Sequence, residues 1–306
     1  MSVTVRPFQP SDAVVVAAVL RDAAPYWVFS PAALAWQAEH APPAERWRLL
    51  LAEVDGTVVG VARTGLLHES AEPGLGYASL NVLPTYRRQG VGAALLTAAE
   101  RRLREIGART AYGKVADEPA AVAFAERWGY RRGRRSLCLA RDLTAGLPPA
   151  LPPAPGVRIV SAAELAGDPR PLYEADLAVS RDEPGDVGMD DTSFADWRLS
   201  YWDRPDLDRT LTTVAFHDGL VVAFSLALTD HSARYQSGMT GTRRAYRGRG
   251  LARAVKLAAL WQAAAAGYRT ALTCNDAENS GMLAINAQLG YLPVGAEWRY
   301  RRTLVR

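Results

Sequence analysis

Tyr86-Arg87-Arg88-Gln89-Gly90-Val91-Gly92 has a near copy in Tyr246-Arg247-Gly248-Arg249-Gly250-Leu251-Ala252, 160 residues further on. In both places a β-rich run leads in and a long run rich in alanine and leucine leads out. The pattern predicts strand, tight turn, helix. Glycine at 90 and at 250 lets the backbone turn sharply and approach a ligand with no Cβ in the way. The first helical turn then offers N–H groups with no intrahelical partner, at the positive end of the helix dipole, which makes an anion site. Arg87, Arg88, Arg247 and Arg249 add cations able to make charge-assisted bonds to phosphate oxygens. No Gly-Lys-Ser/Thr follows, so this is not a nucleotide-triphosphate loop. The third glycine and downstream acid of the dinucleotide fingerprint are missing too. For one copy alone, an ordinary capped helix start is an equal explanation.

The rest of the chain repeats in the same order. Gly107-Ala108-Arg109-Thr110-Ala111 answers to Gly267-Tyr268-Arg269-Thr270-Ala271 at an offset of 160. Trp128-Gly129-Tyr130 answers to Leu289-Gly290-Tyr291 at 161, and Asp55-Gly56 to Asp218-Gly219 at 163. A repeat this long is a duplicated domain and not a solenoid unit. Between the copies, residues 147–156 hold five prolines in ten positions, which favours an extended spacer. We therefore expect domains at 1–146 and 157–306. Each half should open with a strand (Val3 to Arg6, Val157 to Val160) and pass through short helices. An Asp-Gly hairpin follows, then the strand leading to the glycine turn. After it come a long helix (Val91 to Ile106, Leu251 to Ala266), a strand, a second helix and a closing strand pair. The fold class is α/β (α+β): two tandem domains, each a mixed, mostly antiparallel sheet flanked by helices.

With the second copy of the turn in view, the sequence resembles the GNAT acetyltransferase superfamily. In that family the Gln/Arg-x-x-Gly-x-Gly/Ala turn holds the pyrophosphate of acetyl-CoA. The strand before it carries a run like Val82-Leu83-Pro84-Thr85-Tyr86-Arg87. The overall likeness is to tandem actinobacterial GNAT proteins, the class that includes mycothiol synthase. The resemblance implies acetyl-CoA as cosubstrate and direct acyl transfer to a primary amine. It assigns CoA binding in the second half to Thr240, Gly241, Thr242, Arg247, Gly248, Arg249, Gly250, Leu251 and Ala252, with Asn275, Asn279 and Asn286. In the first half it assigns Leu80, Val82, Arg87, Arg88, Gln89, Gly90, Val91 and Gly92. The backbone N–H near Thr242 would polarise the thioester carbonyl, as an oxyanion donor does.

The halves differ. Asn279, Met282 and Asn286 share one helix face by spacing, and amides suit the amide-rich pantetheine arm. Capping by Asn275 or Asp276 is the alternative reading, and it accounts for one asparagine better than for three. The first half has Asp117, Glu118 and Ala125 at the matching places. The second half departs at Arg244, where the first has Pro84, and at Thr242, where the first has Val82. We expect the chemistry in the second half. The tyrosine acid common in the family is absent at Ala125 and at Asn286, so Asn286 is expected only to hydrogen-bond the thiolate. Asp230, His231 and Asp276 are the base candidates, with a solvated loop residue the alternative for His231. His217 and His231 have no ligand partners at usable spacing, so no metal site is expected.

Between Arg181 and Asp208 stand nine acids: Asp182, Glu183, Asp186, Asp190, Asp191, Asp196, Asp203, Asp206 and Asp208. They suggest a cationic small-molecule amine as acceptor, with a solvated helix face as the alternative. Trp197, Tyr201 and Trp202 are interleaved at core-like spacing. A formal charge of +4 over 306 residues does not argue for nucleic acid. The cluster Arg127, Arg131, Arg132, Arg134 and Arg135, beside Arg101, Arg102 and Arg104, lacks extra stacking aromatics. Apolar residues at 49% exclude a disordered chain. No apolar run is long enough for a membrane span. Cys138 and Cys274 read as reduced thiols of a cytoplasmic protein. Because the duplication supplies an internal domain pair, a monomer is expected.

Overall fold

The computed structural model describes residues 2–70, 72–150, 152–182 and 192–304. It contains two compact units. The first takes residues up to 136 together with those from 295 onward, and the second takes the described residues from 137 to 294. The first unit runs β1 (Val3–Pro7), α1 (Ala13–Ala23), α2 (Pro31–His40), β2 (Arg48–Val54), β3 (Thr57–Leu66), β4 (Leu75–Val82), α3 (Val91–Glu105), β5 (Thr110–Ala116) and α4 (Pro119–Arg127). Strand β6 (Arg131–Asp142) belongs to the second unit from residue 137 on. The second unit continues with β7 (Val157–Ser161), α5 (Arg170–Ser180), α6 (Phe194–Trp197), β8 (Thr213–His217), β9 (Leu220–Thr229), β10 (Arg234–Thr242), α7 (Leu251–Ala265), β11 (Thr270–Asp276) and α8 (Ser280–Gln288). The last strand, β12 (Leu292–Thr303), lies in the first unit from residue 295.

The sheet order is β1-β2-β3-β4-β5-β12 in the first unit and β7-β8-β9-β10-β11-β6 in the second. Pairing is antiparallel for β1 with β2, β2 with β3, β3 with β4, β5 with β12, β7 with β8, β8 with β9 and β9 with β10, and parallel for β4 with β5 and β10 with β11. The expected boundary at 147–156 separates the repeats along the chain, yet the compact units do not follow it. β12 pairs with β5 from Glu297↔Ala116 to Thr303↔Thr110. Two homologous closing strands fit equivalent edges, so each repeat can be closed by the other's strand, as in a domain swap.

Cys138 on β6 and Cys274 on β11, expected as reduced thiols, are instead joined by a disulfide. The strand order brings residues 136 positions apart to a Cα separation of 4.1 Å, which spacing along the chain did not reveal. The thiol argument for a cytoplasmic protein falls with it. Among the described residues no helix is long and apolar enough to cross a membrane.

Local sequence explains the elements. Both hairpins turn on Asp-Gly, with φ of 50° and 76° at Asp55 and Gly56 and of 49° and 76° at Asp218 and Gly219. Two left-handed residues match the twist of paired strands, as the Asp-Gly signal predicts. In β2 the alternation sends Leu50, Ala52 and Val54 to the α3 face, and Leu49 and Leu51 to the α1 face. Helix α3 covers its face with Val91, Leu95, Ala99 and Leu103, all buried. In β9, Phe224 and Leu226 join the α5 face with Leu172, Val179, Trp197 and Trp202. Trp197 and Trp202 are thus core residues, and the Trp197 indole donates to Asp176 at 2.8 Å.

Candidate active site

Each sheet opens a wedge at the same place. β4 pairs with β5 only from Leu75↔Thr110 to Tyr77↔Tyr112, and β10 with β11 only from Arg234↔Thr270 to Gln236↔Leu272. Beyond those pairs the strands part. Leu83 N–H donates to Val59, and Arg243 N–H donates to Val222, both on the neighbouring antiparallel strand. Successive N–H groups of a strand point to opposite sides. Hence Val82 N–H, and Thr240 and Thr242 N–H, face the wedge.

The two wedges are lined differently. β10 has a register irregularity between Ser237 and Thr240, a bulge that β4 lacks. The extra residue re-aims the strand's end, as bulges beside sites do. Ser225 and Thr240 hydroxyls bond each other at 2.9 Å, and the Thr242 hydroxyl is buried with no partner. Their counterparts in the first unit include Leu80 and Val82, which pack into its core. Asn286 is wholly buried on α8; its Nδ2 donates to Asn275 Oδ1 at 2.7 Å, while its Oδ1 has no partner. Asn279 stands apart from that pair, because its side chain caps α8 by accepting from Met282 N–H at 3.1 Å. Capping therefore falls to Asn279. Asp276 accepts from Glu278 N–H at 2.9 Å.

The glycine turns have the expected shape. Gly90 and Gly250 are the left-handed residues before α3 and α7, with φ of 86° and 73°. Arg88 and Gly248 share a second left-handed position, at 65° and 77°. Such successive turns aim neighbouring N–H groups into one concavity. A Cβ placed on Gly90, Gly248 or Gly250 would meet nothing within 4 Å, so the outer side of each turn is open. Three of the four turn arginines, Arg87, Arg247 and Arg249, bond within the chain. Arg87 and Arg247 each bond back to the end of their strand, at Val82 O (3.2 Å) and Thr242 O (3.1 Å). Arg87 also pairs with Glu118, and Arg247 with Asp182. Gln89 and Arg249 reach back to the carbonyls of Thr85 and Ala245. Val91 and Leu251 are buried in their cores, and Gly92 and Ala252 follow them on the same helices. Gly241 has a packing role: a Cβ there would lie 2.2 Å from Val179 of α5.

The remaining candidates are taken up by local structure. Asp230 accepts from the N–H groups of Ser232, Ala233 and Arg234, and His231 bonds Pro205 O at 2.8 Å. Neither is placed as a base. Of the nine acids, Glu183, Asp186, Asp190 and Asp191 lie outside the described residues. Asp182 pairs with Arg244 and Arg247, and hydrogen bonds from Arg244 hold its carboxyl below the usual range. Asp203 pairs with Arg198 and Arg209, and Asp206 with Arg204. Asp196 accepts from the Ser193 hydroxyl, and Asp208 accepts from the N–H groups of Thr210 and Leu211. These five therefore present no unpaired row of charge to a cation. Likewise Arg101, Arg102, Arg104, Arg132 and Arg135 each pair with a carboxylate. Among the described residues no group of three or more His, Cys, Asp or Glu is placed to hold a metal.

Sequence reading missed Lys256. It sits on α7, wholly buried, with Nζ 3.4 Å from the Thr273 hydroxyl and 5.1 Å from the Tyr291 ring centroid. Burial pulls its ammonium down to about 7. Beside it Tyr235, Ser237 and Tyr291 are linked through their hydroxyls at 3.2 and 3.3 Å, and burial pushes Tyr235 up to about 12. The signal available was one lysine in the apolar stripe of α7, where the first repeat has Leu96.

The model of the acetyltransferase (GNAT) family matches residues 16–130, from α1 to just before β6. The first turn thus lies inside the match. A mycothiol acetyltransferase from Nocardioides sp. is 29% identical over 225 residues, 70% of this chain and 75% of that one. A mycothiol acetyltransferase from Nocardia farcinica is 28% identical over 256 residues, 83% and 82% of the two chains. Among solved structures, a tandem GNAT protein from the clavulanic acid biosynthesis pathway has a TM-score of 0.74 at 22% identity, covering 100% of this chain and 99% of that one. A GCN5-related N-acetyltransferase from Sphaerobacter thermophilus has a TM-score of 0.69 at 20% identity, covering 99% and 96%. At those identities the likeness is one of fold. Taken with the two open turns and their wedges, these matches identify residues 16–130 as a GNAT domain and give the chain the fold of a tandem GNAT protein.

Proposed function

We propose that the chain transfers an acetyl group from acetyl-CoA to a primary amine of a small molecule, and that the second unit is the working half. One observation carries the choice of half: the wedge of β10 and β11 has two buried, unpartnered polar atoms, Thr242 Oγ1 and Asn286 Oδ1, beside strand N–H groups and an open turn. The first wedge has Val82 and Ala125 there. The name of the relatives, mycothiol acetyltransferase, favours a small-molecule acceptor.

The donor's diphosphate fits the 247–252 turn, where open N–H groups and the α7 dipole favour an anion. Acetyl-CoA supplies a thioester. Thr242 N–H faces the place where its carbonyl oxygen would lie, and such a donor is worth about 3 kcal/mol in a transition state. Asn286, held by Asn275, presents Oδ1 and a fixed amide to the pantetheine end. Asn286 has no acidic proton to give a leaving thiolate, and this favours a second reading, acetyl-CoA binding without turnover.

Calorimetry with acetyl-CoA tests both. Wild type, Gly90→Glu and Gly250→Glu are compared, with Gly90→Ala and Gly250→Ala as controls for backbone strain. Loss of binding in Gly250→Glu alone is expected. Loss in Gly90→Glu alone would move the site to the first unit, and no binding by wild type would end the acetyl-CoA reading. An amine screen on the binding-competent protein then separates enzyme from binder.

A further inference from the structure

Once β10 has left it, the end of β11 keeps a strand on one side only. Parallel pairing stops at Gln236↔Leu272, so residues 273–276 have β6 as their remaining neighbour in the sheet. Asn275, which holds Asn286 at 2.7 Å, lies in this stretch. The first unit has the same one-sided end. There β4 leaves β5 after Tyr77↔Tyr112, and residues 113–116 keep β12 alone.

The two ends are fastened by different chemistry. In the first unit Asp117, just past β5, accepts from the Trp298 indole at 2.8 Å and from the Arg135 guanidinium at 2.6 and 3.0 Å. Its N–H donates to Ala296 O at 2.8 Å. At the offsets that relate the repeats, Asp117 answers to Ala277 and Trp298 to Leu137, whose side chains make no hydrogen bond. What the second unit has in this stretch is the Cys138–Cys274 disulfide. At the two places that match the cysteines the first unit has Lys114 and Arg299, opposite each other on β5 and β12. Polar fastening is thus exchanged for a covalent one.

The covalent fastening differs in one respect: a thiol can open it. Cys138 is wholly buried and Cys274 is half-buried, so an incoming thiolate reaches the Cys274 sulfur first. We propose that the Cys138–Cys274 disulfide is a redox-sensitive fastening of the second wedge: intact, it holds the free end of β11 with Asn275 and Asn286, and reduced by a small thiol it lets that end loosen. The donor's part in this rests on the acetyl-CoA reading above; the loosening of β11 does not. In the first step the thiolate bonds to Cys274 Sγ, the Cys138–Cys274 bond breaks, and Cys138 leaves as a thiolate that takes up the proton the small thiol gave up. A second small thiol then displaces the first from Cys274. Two small thiols are oxidised to their disulfide, and the protein disulfide is reduced to two thiols.

The test uses the full chain, untreated and treated with 2-mercaptoethanol, and Cys138→Ala as the permanently open form. Titration of the untreated, denatured protein should find no free thiol. Hydrogen exchange is followed at the amides of residues 273–277, with 113–117 of the first unit as internal control. Reduction should speed exchange at 273–277 by about tenfold or more and leave 113–117 unchanged. Acetyl-CoA affinity by calorimetry should fall about tenfold as the site loses its preorganisation, and reoxidation should restore both values. Cys138→Ala should behave as reduced protein with or without the thiol. Asp117→Ala should speed exchange at 113–117 whether or not the thiol is present. Free thiols in the untreated protein, or equal exchange at 273–277 before and after reduction, would overturn the proposal. Faster exchange with unchanged affinity would overturn the bridge's part in donor binding. Should Cys138→Ala not fold, wild type taken through reduction and reoxidation decides. If wild type binds no acetyl-CoA in either state, the donor reading fails, and exchange still decides the role of the bridge.

Discussion

Arg88 and Gly248 occupy the same position in the two turns, both left-handed. A residue with a Cβ is disfavoured there by roughly 1–2 kcal/mol. The first turn carries that cost with an arginine, and the second avoids it. No atom lies within 4 Å of a Cβ added at 248, so the backbone alone is at stake. Gly248→Ala should lower the unfolding free energy by about 1 kcal/mol in a urea titration, and Gly248→Asn by less. Equal or absent losses would show that the left-handed turn is not held in solution. Lys256 is the other decisive residue at this scale. Its proton is held up to pH 10.5 in the unfolded chain and only to about 7 in the folded protein. Between those values unfolding takes up a proton. Stability from this residue therefore rises with pH across that window, by about 1.4 kcal/mol per pH unit, and its burial cost is fully present below pH 7. The stability gain of Lys256→Met over wild type should be largest below pH 7 and shrink toward pH 10. A gain constant from pH 6 to 10 would mean that the lysine is not desolvated.

Strands β4 and β10 differ in register, and the proposed choice of the second half rests in part on that difference. β4 has 8 residues and β10 has 9. The additional residue falls between Ser237 and Thr240, where pairing with β9 slips. Deleting Met239 should restore the regular register of β4 and leave the protein folded. It should lower the rate of acetyl transfer about 10²-fold or more, as removal of a well-aimed oxyanion donor does. Kinetics on an active preparation check this, and an unchanged kcat would detach the bulge from the reaction. The bulge was within reach of the sequence, since the repeats align at 160 after it and one residue less before it; the longer landmarks alone hid the step. The start of α8 was half legible. Capping was foreseen, but the cap is Asn279, because Asn275 is already taken by Asn286 eleven residues on.

At the scale of the molecule, the first unit is completed by residues from the far end of the chain. Trp298 donates to Asp117, Trp27 to Glu297, and Arg302 pairs with Glu100. A chain ending at Val294 should therefore lose the cooperative unfolding of the first unit and expose β5 as a bare edge. Limited proteolysis would then cut within 1–136 while cutting at the same sites in full-length protein stays slow. Equal resistance of the two chains would mean that β12 is dispensable.

What the sequence by itself determined is what depends on near neighbours. Asp-Gly pairs require left-handed turns, glycine before an alanine-rich run starts a helix with free N–H groups, and a constant offset means one fold used twice. These are local steric and periodic demands, met before any long-range contact forms. Tertiary structure alone decided the rest: which strand closes which sheet, that Cys138 meets Cys274, that Asp182 is spent on Arg244 and Arg247, and that a lysine in a helical stripe ends beside Thr273. Each joins residues far apart in sequence, or nearly identical alternatives such as two homologous closing strands. Packing complementarity in three dimensions selects among these, and a one-dimensional pattern does not record it.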